Sequence, residues 1–251
     1  SKLGRVFNVR ERADLFWRNV SRHKWENHTF SIFQQFVRPG AVFLDIGAWI
    51  GPTVLFGACT AKHCYAVEPD PVAFEELTQN LALNPSLAGK VTVFQGCISD
   101  VSGKVSFGSQ TKFGDSQSSL LFADRQGAVQ VEALSFNDFL QRYQITACDF
   151  IKMDIEGGET IVLPTMKAYL AQSLPVLYVS LHQKWFKDKA AGVRVIADVL
   201  RVYPYVYTAG GNHLEQARLE EYLLNNETAE LVCLKGPWPF FGCLRQRIIG
   251  S

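Results

Sequence analysis

Two segments of this chain combine glycine and acidic residues in a pattern that suits ligand binding. The first is D-I-G-A-W-I-G at residues 45–51, which follows a strongly apolar run and leads into a helix-like stretch beginning at Thr53. Glycine allows the tight turn with positive φ through which a ligand can approach the backbone closely. The second segment ends the next apolar run with Glu68, 21 positions after Gly47. A carboxylate at about this spacing can accept hydrogen bonds from ribose hydroxyls, so the two segments together predict an adenosine-containing cofactor.

The side chains of the turn indicate which adenosine cofactor fits. A dinucleotide site has the pattern G-x-G-x-x-G, in which the middle glycine lets the pyrophosphate touch the backbone. This turn lacks the middle glycine and has Asp45 at the end of its strand, which disfavours a dehydrogenase. A carboxylate attracts a cation and repels a phosphate. S-adenosylmethionine has an ammonium and a sulfonium group and no phosphate, so we predict it as the cofactor. In the alternative interpretation Asp45 is only a turn residue.

Three more side chains with acid–base chemistry are predicted to reach the same edge of the sheet. Asp154 and Glu156 stand at the end of one strand-like run, and His182 ends the next. Histidine with a pKa near ~6.5 is a suitable general base at neutral pH, with Asp154 orienting the acceptor or the imidazole. In a second scheme the three side chains bind a divalent metal such as Mg²⁺, which acidifies an acceptor hydroxyl. In a third they only hold the strand ends and loops together.

Alternating strand-like and helix-like segments must position these residues. Buried apolar runs of this kind predict an α/β domain with an open, mostly parallel sheet of seven strands and helices on both faces. The strand-like runs are residues 41–44, 63–68, 90–98, 149–154, 175–182, 203–208 and 230–234, and the helical patterns include 71–83, 160–171 and 189–202. Residues 99–135 break the alternation with glycine-rich turns. We predict that they form a β-hairpin insertion after the third strand, covering the ligand edge of the sheet.

Length and composition fit a single globular protein. The 251 residues are 47% hydrophobic and 20% charged, which is enough apolar sequence for a full core. We interpret residues 1–38 as an N-terminal helical cap, 39–236 as the cofactor-binding domain and 237–251 as a C-terminal tail. The net charge of +1 gives no reason to expect nucleic acid as a partner. The absence of an apolar run of about 20 residues argues against a membrane span, and cysteines without a CxxC pair favour the cytoplasm.

Both terminal segments are candidates for contact with a partner. Residues 1–28 contain seven Lys or Arg and three acidic residues, which indicates either a solvated helix face or contact with an anionic partner. The tail mixes Trp238 and Phe240 with Arg245. It either packs on its own domain or docks peripherally on a membrane, on another protein or on a second copy of the chain in a homodimer.

Three blocks of the sequence resemble the FkbM-type methyltransferases. They are F-L-D-I-G-A-W-I-G at residues 43–51, V-E-P-D-P at 67–71 and D-F-I-K-M-D-I-E-G-G-E at 149–159, in the order and approximate spacing of the family. Weaker matches extend the resemblance from about residue 25 to about residue 182. The third block is the most discriminating, because many class I methyltransferases share the first two. Trp49 is a departure, since the family usually has a small residue or Asn there.

The resemblance implies a Rossmann-like class I methyltransferase fold whose last strand is antiparallel. It also implies methyl transfer from S-adenosylmethionine to oxygen, often of a sugar or a polyketide-type product. We therefore predict an O-methyltransferase acting on a hydroxyl of a small molecule, sugar, glycan or glycosylated natural product. The alternatives are an N- or C-methyltransferase on the same fold and a non-catalytic protein that binds S-adenosylmethionine.

The predicted cofactor contacts come from the two segments above, from the end of the third strand and from flanking residues. Backbone amides at the end of that strand meet adenine in this fold. Glu26 either reaches over the cofactor or forms a helix-capping pair with Thr29. Lys152 is interpreted as the partner of a nearby carboxylate rather than as catalytic. The full set is Glu26, Asp45, Gly47, Ala48, Gly51, Thr53, Glu68, Pro69, Asp70, Gly96, Cys97, Ile98 and Asp154.

Overall fold

The described part of the chain contains one large and one small β-sheet. The structure is a computed structural model that describes residues 2–10 and 14–239. In chain order the strands are β1 (Val42–Ile46), β2 (His63–Glu68), β3 (Val91–Gln95), β4 (Cys97–Ser99), β5 (Gly103–Ser109), β6 (Ser118–Ser119), β7 (Val129–Ser135), β8 (Phe150–Asp154), β9 (Val176–Leu181), β10 (Tyr205–Thr208), β11 (His213–Leu214) and β12 (Ala229–Leu234). The large sheet has the order β11-β10-β12-β9-β8-β1-β2-β3, and the small sheet has the order β4-β7-β5-β6.

The helices mostly begin where the sequence provides a cap or a proline. In chain order they are α1 (Asp14–Ser21), α2 (Asn27–Phe36), α3 (Pro52–Ala58), α4 (Pro71–Ala82), α5 (Pro85–Ala88), α6 (Phe136–Arg142), α7 (Glu159–Ser173), α8 (Lys189–Leu200) and α9 (Leu219–Leu224). Asp70 caps α4 and Asp188 caps α8, because each side chain accepts hydrogen bonds from backbone amides of the first turn. The predicted helices at 71–83, 160–171 and 189–202 correspond to α4, α7 and α8. Residues 2–10 are not helical, so in the described part of the segment 1–38 the predicted helical cap consists of α1 and α2.

Strand directions in the large sheet follow the predicted topology. β1, β2, β3, β8 and β9 are parallel to their neighbours in this set, and β12 lies antiparallel between β9 and β10. The expected antiparallel last strand is therefore present. The sheet as described has eight strands rather than the expected seven, because the two-residue β11 returns alongside β10. A strand this short has no hydrophobic alternation that the sequence could reveal.

Helices cover both faces of the large sheet, as expected. Successive side chains of a strand point to opposite faces, so neighbouring residues pack against different helices. Leu44 packs with apolar residues of α6 to α9, whereas its neighbour Phe43 packs with those of α1 to α5. The same alternation places Asp45 of β1, Lys152 of β8 and Tyr178 of β9 on the α2 face, where they are in register across three adjacent strands. These three polar groups thus come from one of the two faces of the sheet.

The insertion after the third strand is a small sheet that begins at Cys97, two residues before the predicted start at residue 99. The expected strand at residues 90–98 is divided at Gly96, where β3 of the large sheet ends and β4 of the small sheet begins. An added Cβ at Gly96 would lie 2.4 Å from the Glu132 carbonyl oxygen, so a larger residue does not fit at this junction. β5 and β7 pair antiparallel as the predicted hairpin, and β4 adds to β7 in parallel.

The terminal segments pack on the domain as far as they are described. Lys2 is buried, donates a hydrogen bond to Asn27 and lies over the Phe30 ring, and Arg5 donates to the Phe56 carbonyl. These two basic groups therefore face the protein. Trp238 donates to Gln35 and packs against Phe36, which agrees with a tail folded back on its own domain. Phe240 and Arg245 lie outside the described residues.

Among the described helices, none combines the length and the apolar character needed to cross a bilayer.

Candidate cofactor and acceptor site

A cavity of about 260 Å³ lies where the parallel strands β1, β2, β8 and β9 end. Most of the residues predicted from the sequence line it, namely Glu26, Gly47, Ala48, Thr53, Glu68, Pro69, Asp70, Cys97, Ile98, Asp154, Glu156 and His182. Asp45, Gly51 and Gly96 do not line it, although all three were predicted to contact the cofactor. Gly51 precedes α3 and Gly96 joins the two sheets. Both glycines are therefore next to lining residues without lining the cavity themselves.

The glycine turn after β1 lies directly against the end of β8. Gly47 has φ 87°, and a Cβ at this position would lie 1.9 Å from the carbonyl oxygen of Asp154. The amides of Gly47 and Ala48 both donate to the carbonyl of Val67, at 3.1 and 3.0 Å. Glycine is therefore required at position 47 both by its conformation and by the close approach of two chain segments.

Asp45 stabilises this turn through buried contacts and does not line the cavity. Its carboxylate is fully buried, accepts a 2.6 Å hydrogen bond from the Thr53 hydroxyl and lies 3.2 Å from the Lys152 ammonium. Lys152 also donates to the Gly47 carbonyl at 3.0 Å. Burial acts to lower the pKa of Lys152, but the charges of Asp45 and Asp154 outweigh it and hold that pKa above its ordinary value. The predicted pairing of Lys152 with a carboxylate is confirmed, and the expectation that Asp45 binds a cationic ligand directly is wrong.

Glu68 ends β2 at the side of the cavity where a ribose was predicted. It is 5% exposed, and its two carboxyl oxygens accept hydrogen bonds from the amides of Trp49 (2.7 Å) and Asp70 (2.8 Å). Burial raises the pKa of Glu68 to about 8. The remaining lone pairs are available to hydroxyl donors in the cavity, because each carboxylate oxygen can accept two hydrogen bonds.

Residues 110–118 of the insertion, which we call the cover loop, are fastened over the cavity. Asp70 accepts hydrogen bonds from the Gly114 amide at 2.7 Å and the Ser118 hydroxyl at 3.0 Å. The indole of Trp49 donates to the Gly114 carbonyl at 3.0 Å. Trp49, the departure from the usual family sequence, thus connects the glycine turn to the insertion. The sequence predicted a cover at this place but not its attachment points.

His182 is enclosed by three carboxyl groups. Its Nε2 lies 3.5 Å from Glu156 Oε1 and 3.9 Å from Asp154 Oδ1, and its Nδ1 lies 3.4 Å from Glu159 Oε1. Burial acts to lower the pKa of His182, but the hydrogen bond to Glu159 and the nearby carboxylates together raise it to about 9. The imidazole is therefore protonated at neutral pH, and the expected pKa near ~6.5 is wrong. Asp154, Glu156 and His182 do converge as predicted, with one potential ligand atom from each within 4.8 Å of the others.

A second polar row, which sequence reasoning missed, crosses the strands β8, β9 and β12. Asp154 pairs with Ser180, and Ser180 pairs with Glu230, so the three side chains share one face at the cavity edge. Because β12 is antiparallel, its first residues reach the edge where the parallel strands end. The expected antiparallel last strand was the signal that could have identified Glu230. Trp25, at the mouth of the cavity, was also missed as a lining residue.

Carboxyl groups outnumber basic groups in the cavity lining. Among the described residues that line it, the basic ones are Lys152 and His182, and both are already surrounded by carboxylates. Seven lining residues are acidic, namely Glu26, Glu68, Asp70, Asp115, Asp154, Glu156 and Glu230. This lining suits a cationic ligand and disfavours one with phosphate groups.

Comparison with solved structures identifies the fold class. The FkbM methyltransferase of Methylobacillus flagellatus KT superimposes with a TM-score of 0.52 at 18% identity, over 77% of this chain and 43% of that one. The chain has the Rossmann-like fold of class I methyltransferases.

Comparison of sequences then identifies the family. The family model described as the methyltransferase FkbM domain matches residues 45–210. The chain belongs to the FkbM methyltransferase family.

Two curated relatives match about half of the chain. The hexuronic acid methyltransferase AglP of Haloferax volcanii is 27% identical over 142 residues, which are 56% of this chain and 56% of AglP. The probable histone-arginine methyltransferase 1.4 of Arabidopsis thaliana is 31% identical over 158 residues, 59% of this chain and 29% of that protein. The chain therefore spans only part of the relatives that it matches.

Proposed function

We propose that this protein transfers a methyl group from S-adenosylmethionine to a hydroxyl group of a sugar or glycan. The observation that most directly supports the proposal is the acidic cavity between the glycine turn and Glu68 in a domain of the FkbM family. Such a cavity suits a ligand with an ammonium and a sulfonium group better than a dinucleotide.

The residues present fit S-adenosylmethionine at defined places. Glu68 would accept hydrogen bonds from the ribose hydroxyls, and the wall formed by Cys97 and Ile98 would border the adenine. The turn at Gly47 and Ala48 would approach the amino-acid end closely, because position 47 has no side chain to block it. Asp154 would supply the nearest carboxylate for the ammonium group.

The other half of the edge, formed by β8, β9 and β12, would hold the acceptor. It offers the half-buried indole of Trp25, the hydroxyls of Ser180 and Thr228 and the carboxylates of Glu156 and Glu230. Hydroxyl-rich ligands suit such a surface, since carboxylates accept their hydrogen bonds and an aromatic face covers their C–H groups. The name of the relative AglP, a hexuronic acid methyltransferase, supports a sugar as the acceptor.

Bound S-adenosylmethionine would supply a methyl group activated by the sulfonium charge, and the protein must align an oxygen with it. Asp154 and Glu156 would orient the acceptor by accepting hydrogen bonds from hydroxyl groups next to the reacting one, and alignment of this kind supplies several kcal/mol of the barrier reduction. His182 would hold these two carboxylates in place as an imidazolium, because its pKa is raised to about 9. Glu159 would fix the imidazole through Nδ1.

A metal-assisted scheme is the second candidate, supported by the convergence of Asp154, Glu156 and His182. Two carboxylates and one imidazole suit Mg²⁺, Mn²⁺ or Zn²⁺. A bound cation would displace the imidazolium proton, because metal ligation requires neutral histidine. Activity that is lost with a chelator and restored by one divalent metal would support this scheme. Full activity in the chelator would exclude it.

The proposed function is tested first by cofactor binding. In isothermal titration we expect the protein to bind S-adenosylhomocysteine and Glu68→Gln to bind it about tenfold more weakly, since the amide offers one acceptor oxygen where the carboxyl group offers two. Glu75→Gln, on the exposed side of α4, is the matched control and should bind normally. Normal binding by Glu68→Gln would contradict the assigned site.

Turnover is tested with labelled S-adenosylmethionine and a panel of sugars, with the methylated atom located by NMR. Transfer to a hydroxyl supports the proposal. Transfer only to nitrogen or carbon would favour the N- or C-methyltransferase alternative. Binding without transfer to any acceptor would favour a non-catalytic protein.

A further inference from the structure

A chain of polar side chains leads from the cavity to the surface through the contact between α2 and the large sheet. Glu26 lines the cavity, and its Oε2 lies 3.1 Å from the Thr29 hydroxyl. That hydroxyl lies 2.7 Å from the Tyr178 hydroxyl, which lies 2.9 Å from Glu230 Oε2. Glu230 contacts Nε2 of His28, whose side chain is 43% exposed. We call these five residues the proton chain.

The hydrogens available in this chain do not suffice when Glu26 is ionised. Three contacts join Glu26 to Thr29, Thr29 to Tyr178 and Tyr178 to Glu230, whereas the two hydroxyls provide only two hydrogens. Thr29 and Tyr178 are 0% and 2% exposed, so water does not replace a missing donor. The third hydrogen must come from a carboxyl group. With a proton on Glu26, every contact has one donor and one acceptor.

Geometry and charge both assign the extra proton to Glu26 and not to Glu230. Glu230 has the exposed His28 as a cationic partner, and although burial opposes it, this partner lowers the pKa of Glu230. Among residues 2–10 and 14–239, no cationic side chain is in contact with Glu26. Burial and the charge of Asp154 raise the pKa of Glu26 to about 7, against Lys152, which lowers it. Burial also holds the pKa of Tyr178 well above its ordinary value, so its hydroxyl keeps its hydrogen.

We propose that Glu26 accepts the proton of the acceptor hydroxyl and that Thr29, Tyr178 and Glu230 pass that proton to His28 at the surface. The proposal rests on the proposed function and names the base that His182, enclosed by three carboxylates, does not provide. Glu26 thereby becomes a catalytic residue, whereas Thr29 and Tyr178 act through it.

The proton balance of the step is complete within these groups. The acceptor O–H bond breaks as the O–CH₃ bond forms and the S–CH₃ bond of the methyl donor breaks, leaving S-adenosylhomocysteine. The ionised form of Glu26, which leaves the chain one hydrogen short of its three contacts, takes up the released proton. Glu26 then donates to the Thr29 oxygen, Thr29 gives its own hydrogen to Tyr178, and Tyr178 gives its hydrogen to Glu230. The imidazolium of His28 first releases its own proton to water and then takes the proton from Glu230.

The test follows the protonated carboxyl band of Glu26 by infrared difference spectroscopy of the protein with S-adenosylhomocysteine, with the band assigned by its loss in Glu26→Gln. In the wild type we expect this band to titrate with a pKa of about 7. Tyr178→Phe should move the midpoint to lower pH by about 0.5 to 1 pH unit, because Thr29 is then free to donate to ionised Glu26. Tyr203→Phe is the matched control, since Tyr203 is an equally buried tyrosine whose hydroxyl donates to the Pro175 carbonyl, away from the cavity.

Activity gives a second readout once an acceptor is found. We expect Glu26→Gln to lower kcat about 10²-fold or more, and Tyr178→Phe to lower kcat about tenfold with KM nearly unchanged. Thr29→Val removes the neighbouring link with little change of shape and should reproduce the lowered kcat if Tyr178→Phe folds poorly.

An unchanged Glu26 midpoint in both Tyr178→Phe and Thr29→Val would overturn the proton chain, and so would full activity in Glu26→Gln. Failure to bind S-adenosylhomocysteine would contradict the proposed function instead. The infrared titration of the unliganded protein would still decide whether the chain holds a proton on Glu26.

Discussion

The ammonium of Lys152 lies 3.2 Å from the carboxylate of Asp45, and the two residues are direct register partners on the neighbouring strands β8 and β1. Both side chains are nearly or fully buried. Lys152 also donates to the carbonyl of Gly47, so the same ammonium group balances the charge of Asp45 and stabilises the glycine turn. The glycine turn of the proposed cofactor site thus depends on one buried ion pair.

Replacement of Lys152 by methionine should strongly destabilise the protein. The change leaves Asp45 buried without its cation, a situation that costs about 3–5 kcal/mol. Lys167→Met is the matched control, because Lys167 pairs with Asp198 at 2.6 Å on the surface and such pairs contribute about 0–1 kcal/mol. Denaturant unfolding measures both. A loss below about 1 kcal/mol for Lys152→Met would show that the pair is not structural, and Asp45→Asn should restore part of the stability.

Alanine at position 47 should be tolerated far worse than alanine at another glycine with the same backbone angle. Gly47 and Gly40 have φ values of 87° and 88°, but a Cβ at 47 would meet the Asp154 carbonyl at 1.9 Å, whereas Gly40 has nothing within 4 Å. We expect Gly40→Ala to cost about 1 kcal/mol from strain alone and Gly47→Ala to cost about 1–3 kcal/mol more. Thermal unfolding of the two variants compares them directly. Equal losses would mean that the turn can move away from β8.

Stability without ligand should fall as the pH rises from about 5 to 9. The folded-state pKa values of Glu26, Glu68 and His182 are raised to about 7, 8 and 9 from ordinary values of 4.5, 4.5 and 6.5. In each window the folded protein binds more protons than the unfolded chain, so the free energy of unfolding decreases with pH. Thermal unfolding across this range measures the slope, and Glu68→Gln should flatten it between pH 5 and 8. A stability that rises with pH would contradict this assignment.

Fastening of the cover loop should control cofactor affinity. Gly114 and Gly127 both belong to the insertion and have φ values of 92° and 88°, but only at Gly114 would a Cβ meet a neighbour, Val72, at 2.8 Å. Gly114→Ala should displace the loop from Asp70 and Trp49 and weaken binding of S-adenosylhomocysteine several-fold. Gly127→Ala should cost about 1 kcal/mol of stability without changing the affinity. Titration calorimetry distinguishes them, and equal affinities would show that the loop does not contribute to binding.

Much of the fold followed from local sequence patterns. The strand β2 was predicted at its observed bounds, and α4 and α8 within two residues of theirs. In the structure both helices begin directly after a capping aspartate, Asp70 or Asp188, which gives each a well-defined start. The antiparallel position of β12 came only from the family resemblance, since no local pattern distinguishes strand direction. The two-residue β11 and the division at Gly96 depend on tertiary pairing, and neither was foreseen.

The site was predicted in its membership better than in its roles. Asp45 was assigned to a ligand because its partner is 107 positions away in the sequence, and only the register of β1 with β8 brings Lys152 beside it. His182 was given an ordinary pKa because Glu159, which contacts its Nδ1, belongs to the first turn of α7. Electrostatic roles depend on such three-dimensional neighbours, whereas residue type and position at a strand end are visible in the sequence.

The small sheet joins the rest of the domain at one place. Residues 100–133 leave the domain and return to it at neighbouring positions, because Ile98 pairs with Leu134 and Ser99 with Ser135. Because the two ends are held side by side by strand pairing, the residues between them form one exchangeable segment, which we call the cassette. Its length can change without moving the large sheet. The cassette includes the cover loop. Grafting it between relatives would therefore be a direct way to alter what enters the cavity while leaving the glycine turn intact.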